Sequence, residues 1–293
     1  MLETNEIKDK LLSRGFIENK PYFKDLPEIN EMREVIFHYL KSYLNYDSEK
    51  MSLKDKISSD LTTEKKIDNI TLKNLTRDVK DLVKKFNNNS STRKIFEKIL
   101  NTKSINPCEG FYDFRFNLSQ DYKVSTGWHQ DCETSFIEGK KYWSYLSCTA
   151  WIALSNANQN NSLYILPRNK KNSFYIYPQH FGKIGNIDYR NKNLEEIDPN
   201  LSMKDVHVVE AKAGECVLLD SFILHRTVPG KTKKPRFSID IRFYDYSTDL
   251  SKVITVHPKV YYFRLLKSKK YIRIRNSKLL APLKNFIKRI KKS

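Results

Sequence analysis

His129 and Asp131 stand two residues apart in the run Gly127-Trp128-His129-Gln130-Asp131-Cys132. An imidazole and a carboxylate so placed are either two unrelated polar residues or half of a metal site. A metal ion that must also take substrate and oxygen needs few protein ligands and several open positions. Two histidines and one carboxylate on one face of an octahedron provide that for iron(II). Side chains two apart on an extended segment point the same way, so this pair would share one ion. The third ligand has to come from another strand. Among the six histidines, His225 is the best candidate, at the end of the apolar run "ECVLLDSFILH", and His207 also lies in a strand pattern. Eleven residues after His225, Arg236 opens "RFSIDIRF". A guanidinium beside the metal clamps a carboxylate bidentately, and the Thr227 hydroxyl is close enough in sequence to assist. Singly, Arg236 reads equally well as a surface strand residue and Thr227 as a turn residue. Their order along the chain is what argues for a site. Trp128 reads as a packing residue at the rim.

The elements that must position these residues change character along the chain. Residues 5–14 read as a helix ended by Gly15, a favourable residue just past a helix. Residues 27–45 and 72–86 carry apolar side chains at helical spacing, "FNNNSSTR" breaks the second of these, and "RKIFEKIL" predicts one more helix. From about residue 110 the segments become short, aromatic and β-branched: "FYDFRFNL", "CTAWIAL", "SLYILP", "FYIYP", "VHVVEA", "ECVLLDSFILH" and "RFSIDIRFYD", with turn-formers between them. Helices followed by several short strands predict a mainly β sandwich or barrel with a helical N-terminal part.

Three stretches together, "GWHQD", "CTAWIALSNANQNNSLYILPRNKKN" and "GECVLLDSFILHRTVPGKTKKPRFSIDIRF", resemble the phytanoyl-CoA dioxygenase family over about residues 105–245, with a weaker similarity at "EIKDKLLSRGFI". The resemblance implies a double-stranded β-helix (a cupin-like jelly roll) flanked by helices, with parts 1–104, 105–250 and 251–293. It implies iron(II) on His129, Asp131 and His225, 2-oxoglutarate as co-substrate with O2, Arg236 on the distal carboxylate of 2-oxoglutarate and Thr227 nearby. Asn117, on the preceding strand, is a candidate for the other end of 2-oxoglutarate, against a purely structural role. It also implies a hydroxylase, because related halogenases have a small residue where Asp131 stands. Two departures are visible. The family's Asn-Gly-x-Leu reads Asn160-Asn161-Ser162-Leu163, where Asn161 can take the left-handed conformation that glycine favours. Its Pro-Gly-Ser-His reads Pro167-Arg168-Asn169-Lys170, which removes no expected ligand. The rival reading is a non-catalytic barrel serving as a binding or scaffold protein at a membrane surface. A complete ligand set argues against it.

Composition bounds the rest. The chain has 293 residues, and 39 % of them are apolar, enough for a sizeable core. No apolar run reaches the length of a membrane span, and the polar start "MLETNEIKDK" has no signal-peptide pattern. Cys108, Cys132, Cys148 and Cys216 form no close-spaced pair, which predicts buried thiols and a reducing, cytoplasmic setting. The formal charge is +19, of which residues 251–293 carry +14, with fourteen Lys and Arg and no Asp or Glu; 19 − 14 leaves +5 for the remainder. Within that tail Leu280, Leu283, Ile287 and Ile290 fall three or four apart among lysines. Such a basic amphipathic stretch lies on anionic membranes. A helix packed on the barrel and a nucleic-acid contact are the alternatives, the last without any supporting motif. A membrane location would suit a small, lipid-linked or saccharide substrate. A chain ending at Ser277 is expected to lose most binding to anionic vesicles while keeping its fold. Vesicle co-sedimentation at low and high salt checks this, since the Coulombic part fades with a Debye length of about 8 Å at physiological salt.

Overall fold

The computed structural model describes residues 4–45, 62–63, 67–117, 127–168, 174–178, 183–184, 187–188, 192–228, 235–257, 260 and 264. Its helices are α1 (Thr4–Arg14), α2 (Pro27–Leu40), α3 (Asn69–Asn87), α4 (Ser90–Leu100), α5 (Asp131–Glu138) and the single turn α6 (Leu194–Ile197). Its strands are β1 (Phe16–Lys20), β2 (Leu44–Asn45), β3 (Thr62–Thr63), β4 (Ile105–Asn117), β5 (Tyr145–Ala153), β6 (Leu163–Ile165), β7 (Tyr175–Ile176), β8 (Lys183–Ile184), β9 (Ile187–Asp188), β10 (His207–Val208), β11 (Cys216–Asp220), β12 (His225–Thr227), β13 (Arg236–Asp249) and β14 (Thr255–Val256).

Local chemistry sets the helix ends. Gly15 stops α1 with φ +84°, and its N–H reaches the Leu11 carbonyl at 2.9 Å. A Cβ at this position would stand 2.0 Å from Ile223 Cδ1, so glycine is required both by conformation and by space. Asp68 opens α3 by accepting from the N–H groups of Ile70 and Thr71, both at 2.9 Å. In "FNNNSSTR", Asn88 closes α3 and Asn89 opens α4, accepting from Ser91 N–H at 2.8 Å. The second expected helix is shorter than its pattern: α2 ends at Leu40, and Leu44–Asn45 pairs with Thr62–Thr63 as a two-stranded ribbon.

The strands form a mainly β core of two antiparallel sheets. The larger has the order β1-β11-β5-β13-β4, and the smaller β10-β6-β12. Outside the named strands, His129 bridges antiparallel to His225 and so extends the smaller sheet. The alternation along β13 explains how the larger sheet serves two surroundings. Phe237, Ile239, Ile241 and Phe243 are buried in one cluster with Met32, Val79, Val83, Phe86 and Phe96 of the helices. The intervening Arg236, Asp240 and Arg242 line a cavity on the other face. Each large apolar side chain buried this way contributes about 1.5–3 kcal/mol, which holds the helices to the sheet. A second cluster, with Trp151, Val217 and Leu219 of the larger sheet and Leu163 and Ile165 of the smaller, joins the two sheets.

Three features differ from the sequence expectation. The run "ECVLLDSFILH" is two strands on different sheets, β11 and β12, rather than one. Asp220 breaks it: its Oδ1 accepts from Phe222 N–H at 2.8 Å, and its carbonyl accepts from Ile223 N–H at 3.3 Å. The N-terminal part also does more than pack on the core, since β1 is the edge strand of the larger sheet, paired with β11. Asn161 does not take the left-handed conformation; among the described residues the non-glycines with positive φ are Asn101 and Phe174. The stripe from Leu280 to Ile290 lies outside the described residues, as does His180. Among the described residues no helix is long and apolar enough to cross a membrane.

Arg168 accounts for the altered Pro-Gly-Ser-His segment. Its guanidinium is buried, pairs with Asp220 Oδ2, and donates from Nη1 to the carbonyls of Leu11 at 2.9 Å and Leu12 at 2.7 Å at the end of α1. It therefore ties the turn before β12 to the N-terminal helix. Removing one partner of a buried pair strands the other charge, which typically costs about 3–5 kcal/mol. Arg168→Met is expected to lose stability on that scale in a urea denaturation, while the isolated surface pair of Lys10 and Glu6 is dispensable.

Candidate metal centre

His129, Asp131 and His225 each offer one ligand atom, and these atoms lie within 4.8 Å of one another. Among the described residues this is the group of His, Cys, Asp and Glu so arranged. The backbone brings two of them together directly: His129 N–H donates to the His225 carbonyl at 2.9 Å, and His225 N–H donates back at 3.0 Å. Their ring centroids stand 4.1 Å apart. Each ring is oriented through Nδ1, which lies 2.9 Å from the Gly127 carbonyl in His129 and 3.0 Å from the Ile223 carbonyl in His225. A neutral imidazole that donates from Nδ1 carries its lone pair on Nε2, the tautomer suited to a metal.

Asp131 arrives differently from the expected all-extended segment. Gln130 is extended (φ −124°, ψ 137°), so the alternation from His129 holds across it, but Asp131 is already the first residue of α5. Its Oδ2 accepts from Thr149 Oγ1 at 2.9 Å, and its Oδ1 is 2.5 Å from Arg242 Nη2. Burial pushes the carboxyl pKa up. The Arg242 guanidinium outweighs that, followed by the two histidines, and holds the group well below the ordinary carboxylate range, so it is ionised and ready to ligate. The chemistry of this donor set, two oriented imidazoles and one ionised carboxylate, fits iron(II).

The cavity around the cluster measures about 460 Å³ with its open mouth included. Thr227 and Arg236 lie in its wall, with Thr149, Trp151, Arg115 and Asp240. Arg236 is fully buried at the start of β13. Its Nε donates to the Asn161 carbonyl at 3.1 Å, its Nη1 reaches Ser238 Oγ at 2.5 Å, and its guanidinium carbon sits 5.4 Å from the Trp151 ring centroid. Burial pulls its pKa down to about 10, which still leaves it charged at neutral pH. No carboxylate forms a direct ion pair with it among the described residues. Asn117 stands beside Arg236, and both side chains donate to the Asn161 carbonyl. It faces Arg236 across the β4–β13 ladder, donates from Nδ2 to the Val228 carbonyl at 3.2 Å, and is not in the cavity wall. His207 is not in the cluster; it lies across β6 from His225, and its Nε2 is 2.7 Å from Glu18 Oε1. Trp128 is buried beside Leu166, Leu194 and Leu224, as a packing residue.

The chain matches the phytanoyl-CoA dioxygenase (PhyH) family over residues 26–238 and belongs to it. Iron(II) and 2-oxoglutarate are that family's cofactors, and the cluster suits them. Among curated proteins none matches the chain by sequence. Several solved structures are similar in shape. AviO1 from Streptomyces viridochromogenes Tue57 has 13% identity and a TM-score of 0.47, covering 85% of this chain and 97% of its own. The non-heme α-ketoglutarate-dependent epimerase SnoN from nogalamycin biosynthesis has 12% identity and a TM-score of 0.46, covering 83% and 82%. EvdO2 from Micromonospora carbonacea var. aurantiaca, complexed with 2-oxoglutarate, has 14% identity and a TM-score of 0.47, covering 82% and 90%.

Sequence reasoning missed Gln130, Thr149 and Arg242. Gln130 sits between the two ligands, fully buried. It donates to the carbonyls of Phe222 at 2.6 Å and Tyr175 at 2.7 Å and accepts from Tyr177 N–H at 2.9 Å. Its neighbours in sequence carried the signal, since a glutamine flanked by two ligands points to the opposite side and into the core. Gln130→Leu removes three hydrogen bonds to backbone groups, and leaving the buried Phe222 carbonyl without its partner alone costs about 1–3 kcal/mol. The expected result is a lower melting temperature together with weaker metal binding, measured by calorimetry and by metal titration.

Proposed function

We propose that the protein is an iron(II)- and 2-oxoglutarate-dependent dioxygenase that hydroxylates a small-molecule substrate, with lipid-linked molecules and saccharides as the first candidates. The observation that carries this is the convergence of His129, Asp131 and His225, from two separate stretches of chain, beside a buried arginine. In this reading the three side chains hold the ion and leave its other positions for co-substrate and oxygen. When bound, iron(II) supplies the coupling of 2-oxoglutarate decarboxylation to insertion of one oxygen atom into a C–H bond, with succinate and CO2 as co-products. Arg236 takes the distal carboxylate of 2-oxoglutarate, assisted by the Thr227 hydroxyl. Its fixed hydrogen bonds to Asn161 and Ser238 orient it before the ligand arrives. Burial strengthens that charge pair by excluding water.

The finer assignments follow the same support. The two-sheet order, with the His129 segment beside β12, β6 and β10 and with β11, β5, β13 and β4 facing them, suits a double-stranded β-helix. A carboxylate at Asp131 favours hydroxylation over halide transfer. The division at residues 104 and 250 separates a helical part and a basic tail from that core, and the tail's +14 would place the enzyme at an anionic membrane surface.

The test is an anaerobic titration with iron(II) and then 2-oxoglutarate, followed by its visible charge-transfer band. His225→Ala is expected to lose the band and turnover. Arg236→Ala is expected to keep iron binding but to bind 2-oxoglutarate about 2–5 kcal/mol more weakly, the scale for losing a buried charge pair. A product heavier by one oxygen distinguishes hydroxylation from epimerisation. Near-normal turnover in His225→Ala would sink the proposal.

A further inference from the structure

Arg242 has no part in the mechanism above, yet it is the charged group in closest contact with a ligand of the cluster. It lies on β13 directly opposite Thr149 of β5. Its Nη2 meets Asp131 Oδ1 at 2.5 Å, and its Nε donates to Thr149 Oγ1 at 2.9 Å. The same Thr149 hydroxyl donates to Asp131 Oδ2 at 2.9 Å. The three side chains therefore close a ring in which each carboxylate oxygen already accepts one hydrogen bond, from a different strand. The guanidinium is further fixed by the Phe111 ring, whose centroid is 5.0 Å from its central carbon, and Lys140 Nζ lies 4.9 Å from the same centroid. Only 9% of the Arg242 side chain is exposed.

Asp131 is the least constrained of the three ligands by its own backbone. The two histidines are locked by the reciprocal bridge and by Nδ1 contacts, whereas a carboxylate at the first position of a helix can rotate about χ2 and offer one oxygen or both. We propose that Arg242 is a positioning residue for the metal: with Thr149 it fixes the plane of the Asp131 carboxylate, so that the ion receives one oxygen and keeps its remaining positions open. The inference rests on the metal reading of the cluster. Coulomb repulsion between a guanidinium and a divalent ion works against this placement; the charge keeps Asp131 ionised, but any cation would do that, so charge alone does not call for a guanidinium here. The planar fork, which serves Asp131 and Thr149 at once, does. Lysine cannot reproduce it, because its ammonium is a single point charge without a fixed fork. Replacing groups that orient a ligand typically costs 10–100-fold in metal affinity, and this sets the expected direction.

The test uses the full-length apoprotein titrated with cobalt(II), read by its visible d–d absorption, with circular dichroism to confirm folding. Arg242→Gln is expected to bind cobalt(II) at least about 10-fold more weakly than the unaltered protein and to shift the absorption, because the carboxylate gains freedom. Arg242→Lys, which keeps charge and length, is expected to recover only part of the affinity and not the spectrum. Thr149→Val, which removes the hydrogen bond to Oδ2 and the acceptor for Nε, is expected to move both readouts in the same direction by less. A merely structural arginine would alter stability and leave the spectrum alone. Unchanged or tighter binding with an unaltered spectrum in Arg242→Gln overturns the proposal; if that variant does not fold, the same result in Arg242→Lys or Thr149→Val overturns it. If the unaltered protein binds no cobalt(II), it is the metal reading itself that fails.

Discussion

The site depends on one short piece of backbone pairing. His129 and His225 are almost a hundred positions apart, and they meet because each donates its N–H to the carbonyl of the other. A two-residue antiparallel bridge is the smallest unit of sheet, and it fixes both the spacing and the relative rotation of the two imidazoles. The surrounding interactions prepare this contact. Gln130 anchors the strand leaving His129 to the turn before His225 through Phe222. Cys132 N–H adds a second tie, to the Ser221 carbonyl at 3.0 Å. Asp220 shapes that turn, and Arg168 neutralises Asp220. Gln130, Asp220 and Arg168 are buried polar groups that each have partners, the condition under which buried polarity stabilises instead of costing.

The larger sheet is the second determinant, through the two faces of β13. One face presents phenylalanine and isoleucine to the helices, and the other presents Arg236, Asp240 and Arg242 to the cavity. Such a strand cannot slip by one residue without burying three charges in the apolar core and exposing four large apolar side chains. Register and site geometry are consequently the same constraint. The Arg115 side chain, reaching Asp240 Oδ2 from β4 at 3.2 Å, keeps the remaining carboxylate of that face paired.

Much of this was legible in the sequence because it is local. The helices could be read from apolar spacing, and Gly15 and the asparagines at 88 and 89 marked their ends. "RFSIDIRF" reads as a strand, and its spacing from His225 tied Arg236 to the site. What was not legible required knowing what lies opposite. Arg242 belongs to the same alternation as Arg236, but nothing in its neighbourhood names Asp131 as its partner. Gln130 was overshadowed by the two residues flanking it. The break at Asp220 was hidden because "ECVLLDSFILH" is apolar almost throughout, and periodicity cannot divide a run that is buried at every position. Arg168 looked like a lost motif, and its function appears only once α1 is seen beside it.

The placement of β1 bears on how the chain reaches this state. Strand β1 is an outer strand of the larger sheet, and its partner β11 lies about two hundred residues further along. Gly15, Arg168 and Ile223 meet at the same junction, so the seam between the end of α1, β1 and the core closes only once β11 and the turn after it exist. Pairings between distant parts of a chain form slowly, because loop closure must be achieved before any contact compensates for it. Until then the apolar edge of β11 stays open, and open edges recruit other chains. The β1 segment therefore works as a closing seam: made well before the strand it pairs with, and covering the edge at which a half-folded molecule would otherwise associate with its neighbours.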